Sequence, residues 1–234
     1  MKKAYSDFTI IIPTLNEFKN IRLIIVKLLK MYRGVSIIVA DDGSMDGTRE
    51  EVRAISKKNR KVKLLDRERR SVHGLAASVL DAVLMVKTPY LIVMDADMQH
   101  PPNKVSEIME SLGSCDLAVG VRTHVKNWGF YRKTVSKSIA YFSYAILTFR
   151  GKRTCNDIMS GFFGINTRLF QLIIRKKRSY FIGRSYKVLL DLLKLLDKNV
   201  KIKEIYYSSF NPRLYGKSKA NVWNFIDIIK SSFK

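Results

Sequence analysis

Apolar runs that stop on acidic residues recur along the first half of this 234-residue chain, with helical stretches between them. Phe8–Ile12 is a β-rich run closed by Pro13. Val35–Ala40 enters Asp41-Asp42-Gly43-Ser44, and Tyr90–Met94 enters Asp95-Ala96-Asp97. Between them, Ile21–Met31 carries apolar residues at Ile21, Ile24, Ile25, Leu28 and Leu29, the spacing of a helix face. The pattern further predicts a helix over Thr48–Ser56, a strand over Val62–Leu65 and a helix over Gly74–Val86. Pro101-Pro102 opens a helix reaching about Leu112, since proline suits a first turn, and Leu117–Val121 follows as a strand. Strand–helix–strand units of this length imply an α/β fold, a mostly parallel sheet flanked by helices on both faces. Ligands of such sheets gather outside the carboxyl ends of the strands. Pro13–Glu17, Asp41–Asp46 and Asp95–Gln99 all fall at that rim, far apart in sequence.

The chemistry at the rim follows from the residue types. Asp95 and Asp97 stand two apart on an extended segment, so they point the same way. They repel each other unless a cation sits between them. Hard oxygen ligands suit Mg²⁺ or Mn²⁺, ions that also hold a substrate diphosphate. Asp-x-Asp alone is common; its place after Tyr-Leu-Ile-Val-Met and before Met98-Gln99-His100-Pro101-Pro102 sharpens it. The run Asp41 to Thr48 reads either as a turn and helix cap, with Asp46 or Thr48 capping, or as a pair of aspartates accepting hydrogen bonds from a nucleotide base or ribose.

Hydrophobic residues at 47% support a sizeable core and exclude global disorder. Lys and Arg number 43 against 20 Asp and Glu, a net charge of +23. Such an excess points to an anionic partner: nucleic acid, membrane surface or phosphorylated substrate. Cys115 and Cys155 are too few for a disulfide framework or a cysteine-rich zinc site, and they read as small buried apolar groups in a reducing, intracellular setting. The longest weakly polar run, Ser138–Phe149, is far short of the ~20 residues a membrane span needs. The start, Met1-Lys2-Lys3, leads into a run that stops at Pro13, without the length or cleavage site of a signal peptide.

The second half differs. Between Asp116 and Asp157 there is no acidic residue, but Arg122, Lys126, Arg132, Lys133, Lys137, Arg150, Lys152 and Arg153 are all basic. Ile139 to Phe142 and Ala145 to Leu147 read either as a helix lying in a membrane interface or as a core helix with solvated lysines. Val222 to Lys230 is a second amphipathic candidate. Arg175 to Arg178 reads as a solvated run or a contact for anionic headgroups. Val188 to Leu196 reads as a core helix. His73 and His124 have no partner readable from the sequence, and His100 adjoins Gln99.

Three segments, Ile11-Ile12-Pro13-Thr14-Leu15-Asn16-Glu17, Val39 to Thr48 and Met94 to Pro102, make the chain resemble family 2 glycosyltransferases of the GT-A (Rossmann-like) fold. More narrowly it is similar to dolichyl-phosphate mannosyltransferases, whose later segments match Asn156-Asp157-Ile158-Met159-Ser160-Gly161-Phe162 and Tyr215-Gly216-Lys217-Ser218-Lys219. The resemblance covers nearly the whole chain and implies one GT-A domain over 1–234, with interfacial helices near 130–149 and 221–232. It implies transfer of mannose from GDP-mannose to a polyprenyl (dolichyl) phosphate, with inversion, by a peripheral enzyme at the cytoplasmic face of a membrane. By the same resemblance Pro13, Leu15, Glu17, Asp41, Asp42, Asp95, Ala96, Asp97, Gln99, Arg213 and Lys219 would bind the nucleotide sugar. Asp95, Asp97 and Gln99 would hold Mg²⁺ or Mn²⁺, and the catalytic group would be Asp97, Arg122, Arg132 and Ser136. Of these, Arg122, Arg132 and Ser136 would meet the acceptor phosphate, while Asp157 and Ser160 shape that side. Arg213 and Lys219 lie in a loop expected to close over the diphosphate.

Three positions depart from the family pattern: Leu15 where an aromatic is frequent, Lys137 for a frequent arginine, and Phe163 where arginine is common. The expected partners are therefore a nucleotide sugar, a polyprenyl phosphate, an anionic membrane surface and, as relatives often have, a small membrane subunit. Competing readings are a UDP-sugar enzyme making polyprenyl-phosphate glucose, a basic nucleic-acid-binding module and an inactive scaffold subunit. No nucleic-acid motif is present, and the acidic rim would repel phosphate without a metal, so no nucleic-acid partner is expected.

Overall fold

A computed structural model describes residues 4–123, 141, 144–182, 187–208, 214 and 215. The chain order is β1 (Phe8–Thr14), α1 (Phe18–Met31), β2 (Ser36–Asp41), α2 (Thr48–Lys58), β3 (Val62–Asp66), α3 (Leu75–Met85), β4 (Tyr90–Val93), a tight turn Pro102–Lys104 leading into α4 (Val105–Ser111), then β5 (Leu117–Arg122). Beyond it come β6 (Phe163–Asn166), α5 (Thr167–Lys177), α6 (Val188–Leu195) and β7 (Ile202–Tyr207). The seven strands form one sheet in the order β3-β2-β1-β4-β6-β5-β7. Pairs β1/β2, β1/β4, β2/β3 and β5/β7 are parallel. Strand β6 runs antiparallel to both β4 and β5.

Successive side chains of a strand face opposite sides, and both sides here are covered. Ile11, Ile38, Ala40, Leu91, Val93, Leu117, Val119, Phe163 and Ile165 join the core under α3, α5 and α6. Ile10, Ile12, Ile37, Val39, Ile92, Ala118 and Phe162 join the core under α1 and α4. This double burial explains why the strands read as continuous apolar runs. Each parallel strand delivers its carboxyl end to one rim: Thr14, Asp41, Val93 and Arg122 stand there.

The predicted elements of the first half match the observed ones to within a few residues. Strands β6 and β7 were not readable from periodicity. The four residues of β6 include Gly164, which weakens a strand pattern. Its reason is packing, because a Cβ there would lie 2.5 Å from Ile108 Cγ2 and 2.9 Å from Leu112 Cδ1, on α4. Being antiparallel, β6 begins where its neighbours end, so Ser160 and Gly161 enter the rim from the second half of the chain.

Candidate active site

The β1–α1 and β2–α2 turns are locked together. Asp41 is fully buried and its carboxylate accepts from Thr14 Oγ1 (2.9 Å), Gly43 N (3.1 Å), Ser44 N (2.8 Å) and Ser44 Oγ (2.6 Å). Four contacts fill the acceptor capacity of a carboxylate, so Asp41 holds the turn. Asp46 accepts from Phe18 N (3.0 Å) and Thr48 N (3.0 Å), and Thr48 Oγ1 accepts from Glu17 N (2.9 Å). The starts of α1 and α2 are thus pinned by one pair of side chains. Glu17 is buried and accepts from Asn20 Nδ2 at 2.7 Å. Asn20 Nδ2 also reaches the Tyr215 carbonyl at 3.3 Å, while its buried Oδ1 has no hydrogen-bond partner among the described residues. Pro13 is buried, and Leu15 is 36% exposed at the mouth.

Asp42 is held differently. Its carboxylate pairs with Arg67, accepts from Gly74 N (2.6 Å) and lies 3.2 Å from His73 Nδ1. Arg67 is 1% exposed. It also donates to Asp81 (2.9 Å), Ser78 Oγ (3.0 Å) and the Val72 carbonyl (2.8 Å), and Asp81 pairs in turn with Arg178. Burial pushes the Asp81 carboxyl up, but its bonds to Arg178 and Arg67 win and hold it below the usual carboxylate range. The sequence analysis did not single out Arg67, and nothing in Arg67-Glu68-Arg69-Arg70 marks which arginine is buried.

At the end of β4, Asp97 is 3% exposed and its Oδ1 accepts from Gln99 N at 3.1 Å, a tight turn in which Met98 takes φ +62°. Ala96 is buried between the two aspartates, and Asp95 keeps a third of its side chain open. Asp95 Oδ2 lies 3.5 Å from Nε2 of buried His100, whose Nδ1 is 2.6 Å from the Tyr207 hydroxyl. Gly161 packs on the same carboxylate; a Cβ there would come within 2.9 Å of Asp95 Oδ2. Leu214 also touches this turn, its backbone N 3.4 Å from the Asp97 carbonyl.

Among the described residues no group of three His, Cys, Asp or Glu forms a ready metal cage. The donor set is two carboxylates with a neighbouring amide side chain, the sparse oxygen set that Mg²⁺-like ions use when substrate phosphates complete the shell. A partly exposed carboxylate at Asp95, with Gly161 packed against it, fits that use.

Across β6, Arg122 closes β5. Its Nε and Nη2 meet Asp157 Oδ2 (2.6 Å) and Oδ1 (2.8 Å) in a bidentate pair, and its backbone N also reaches Oδ2 (3.3 Å). Burial works to lower the Arg122 guanidinium and to raise the Asp157 carboxyl. The pair outweighs both, so Arg122 lies above and Asp157 below its ordinary value. Burial also raises the neighbouring Tyr207 phenol. Ser160 Oγ donates to the Gly120 carbonyl at 2.7 Å, tying this loop to β5. Sequence reading placed Asp157 on the acceptor side without its partner. A pair 35 residues apart leaves no local signal.

The structure therefore gathers Pro13, Leu15, Glu17, Asp41, Asp42, Asp95, Ala96, Asp97, Gln99 and Arg122 on one rim. Arg132, Ser136, Lys137, Arg213, Lys219 and His124 lie outside the described residues, as do the segment 221–232 and most of 130–149, where interfacial helices were expected. Cys155 is buried, and burial raises its thiol; Cys115 is partly buried. No described helix is long and apolar enough to cross a membrane.

Comparison with known proteins agrees with this fold. Residues 9–173 match the family model "Glycosyl transferase family 2". A dolichol-phosphate mannosyltransferase of Saccharomyces cerevisiae is 30% identical over 91% of this chain and 80% of its own length. One from Mycosarcoma maydis is 30% identical over 90% and 72%. One from Pyrococcus furiosus is 31% identical over 90% of this chain and 58% of its own. Among solved structures, glucosyl-3-phosphoglycerate synthase of Mycobacterium tuberculosis shares the fold, with TM-score 0.67 at 18% identity over 97% of this chain and 78% of that one. That structure holds Mn²⁺, UDP-glucose and phosphoglyceric acid. On its sequence, its sheet and its rim, this chain is a glycosyltransferase and belongs to glycosyl transferase family 2.

Proposed function

We propose that this protein transfers mannose from GDP-mannose to a polyprenyl (dolichyl) phosphate, with inversion at the anomeric carbon, as a peripheral enzyme at the cytoplasmic face of a membrane. The observation that carries this reading is the guanidinium of Arg122, fixed by Asp157 and standing across β6 from the Asp95 turn. An anchored cation beside a carboxylate turn suits two anionic reactants that must meet. The names of the relatives support the sugar and the acceptor.

An oxygen of the acceptor phosphate forms the new bond to the anomeric carbon. The bond from that carbon to the nucleoside diphosphate breaks, and the diphosphate leaves with the electron pair. The attacking phosphate monoester is already anionic near neutral pH, so no side chain has to remove a proton. Asp95, Asp97 and Gln99 would hold a divalent cation, Mg²⁺ or Mn²⁺; such an ion, when bound, acts as a Lewis acid on the leaving diphosphate. Arg122 offsets acceptor charge, and its planar fork suits phosphate. Arg132 and Ser136 are proposed to complete that contact, and Arg213 and Lys219 to cover the diphosphate. Pro13, Leu15, Glu17 and Asp42 shape the donor side, where the Asn20 Oδ1 acceptor would meet a ligand N–H. Asp41 acts by fixing the turn. Holding the two reacting atoms in line supplies much of the rate.

The test is a donor panel with a short polyprenyl phosphate, with and without Mn²⁺ or Mg²⁺. Polyprenyl-phosphate mannose formed from GDP-mannose in the presence of metal is the expected product. Product from UDP-glucose alone would replace the donor assignment, and no lipid-linked sugar from any donor would overturn the reading.

A further inference from the structure

A cavity of about 340 Å³ lies apart from the rim and shares no lining residue with it. Arg150, Lys152, Lys177 and Lys194 surround it, Leu147 and Tyr180 add apolar wall, and none of its described lining residues is acidic. Its volume is within the ~300–1,000 Å³ of small-molecule sites and exceeds what a bare phosphate fills. Three helix ends meet here. Helices α5 and α6 finish at Lys177 and Leu195. The helical stretch 144–149 is closed by Gly151 at φ +63°, with Lys152 N bonded to the Leu147 carbonyl (2.8 Å) and Gly151 N to that of Thr148 (2.9 Å). That cap turns Arg150 and Lys152 toward the other two ends.

Basic residues at helix C-termini offset the dipole, which places about half a negative charge at each end. Lys194 also pairs with buried Asp191 (2.8 Å), and Lys152 Nζ is 3.5 Å from the Leu196 carbonyl. Dipole compensation accounts for a lysine at each helix end. It does not account for an open cavity lined by four cations. The segment entering Arg150 adds a second observation: Tyr141 is 77%, Tyr144 40% and Phe149 93% exposed. Aromatic side chains beside cations are the composition of a surface that sits at headgroup level.

We propose that this cavity binds the phosphate group of an anionic phospholipid, seating the flank of the protein on a membrane independently of which sugar is transferred. The experiment compares flotation of the full chain with phosphatidylcholine vesicles containing phosphatidic acid and with phosphatidylcholine alone. The pocket variant is Arg150→Gln with Lys177→Gln, both exposed. The control, Lys57→Gln with Lys58→Gln, removes the same charge from the exposed end of α2. A headgroup contact by two basic side chains predicts about a thirtyfold loss for the pocket variant on phosphatidic-acid vesicles, with the control much less affected. Inorganic phosphate alone, followed by its phosphorus NMR line width, should broaden with the wild type and not with the pocket variant. Equal vesicle losses in both variants mean diffuse charge and overturn the proposal. Variant-sensitive phosphate binding with equal vesicle losses overturns the lipid source. Unchanged circular dichroism and unchanged transfer to a water-soluble short-chain acceptor separate a pocket defect from a failure of the transferase reading.

Discussion

The two halves of the rim are built on different scales. On the β1–β4 side most of the cross-links come from adjoining turns: Thr14, Gly43 and Ser44 hold Asp41, and Asp46 and Thr48 pin the start of α1. On the β5–β7 side the contacts reach farther along the chain, 35 residues from Arg122 to Asp157 and 107 from His100 to Tyr207, against at most 31 in the first set. The first half fixes the carboxylates of Asp41 and Asp42 by several bonds each and leaves Asp95 partly exposed. Among the described residues the second places the Arg122 guanidinium, and its rigidity comes from a salt bridge. Carboxylates there, beside an anionic ligand, need fixed partners or a cation; a guanidinium there needs only to be aimed.

The comparison breaks first at Asp97. Asp97→Asn keeps an acceptor for Gln99 N and removes the charge, so the fold should survive while kcat falls on the order of a thousandfold, the scale of losing one electrostatic stabiliser. Circular dichroism and a metal-supplemented transfer assay check it. Retained metal-dependent turnover would show that the charge of this side is not catalytic. Next is Arg67→Met, which leaves Asp42 and Asp81 without their buried cation. Removing one partner of a buried pair costs about 3–5 kcal/mol, so denaturant melts should show a large loss of stability, and donor affinity should weaken with Asp42. A neutral result would show that Gly74 N–H and His73 hold Asp42 without the arginine.

The contrast in scale also decides what the sequence could tell. Turns such as Asp41 to Thr48 announce themselves because part of their bonding is local, Asp41 to Gly43 and Ser44 and Asp46 to Thr48, so these turns and the α/β alternation were legible. The double-sided burial of β1, β2 and β4 wrote itself as apolar runs. Arg67 was hidden because a buried arginine and a solvated one are the same letter, and only the positions of Asp42 and Asp81 distinguish them. Strand β6 was hidden because Gly164 exists for α4 rather than for the strand. The pairing of Arg122 with Asp157 depends on how β6 threads between β4 and β5, which no local pattern encodes.

The Arg122–Asp157 side, where the acceptor is proposed to bind, gives a smaller, pH-dependent effect. Asp157→Asn leaves a nearly buried guanidinium without its counter-charge, a loss of about 2 kcal/mol, with the acceptor KM raised more than the donor KM. The Asp157 carboxyl lies below its ordinary range when folded. Its stabilisation is therefore complete above the unfolded value of about 4 and is lost as pH falls through the lower folded value. Thermal midpoints should drop on acidification in the wild type and drop less steeply in Asp157→Asn. An identical acid slope would show that the bidentate pair does not form in solution.

The smallest effect tests whether the two halves communicate. Gly161 is supplied by the second half yet packs against Asp95 of the first, and an added Cβ would approach Oδ2 to 2.9 Å. That oxygen belongs to a partly exposed side chain, so it can rotate away and the fold need not yield. Gly161→Ala should leave the thermal midpoint nearly unchanged and reduce turnover by about tenfold, equivalent to ~1.4 kcal/mol in the barrier, because Asp95 no longer sits where a diphosphate-bound cation would need it. Raising the metal concentration should recover part of the loss, since displaced ligation weakens affinity before it abolishes chemistry. If Gly161→Ala instead destabilises the protein and metal recovers nothing, the glycine serves backbone packing at the mouth of β6, and Asp95 is positioned from its own strand alone.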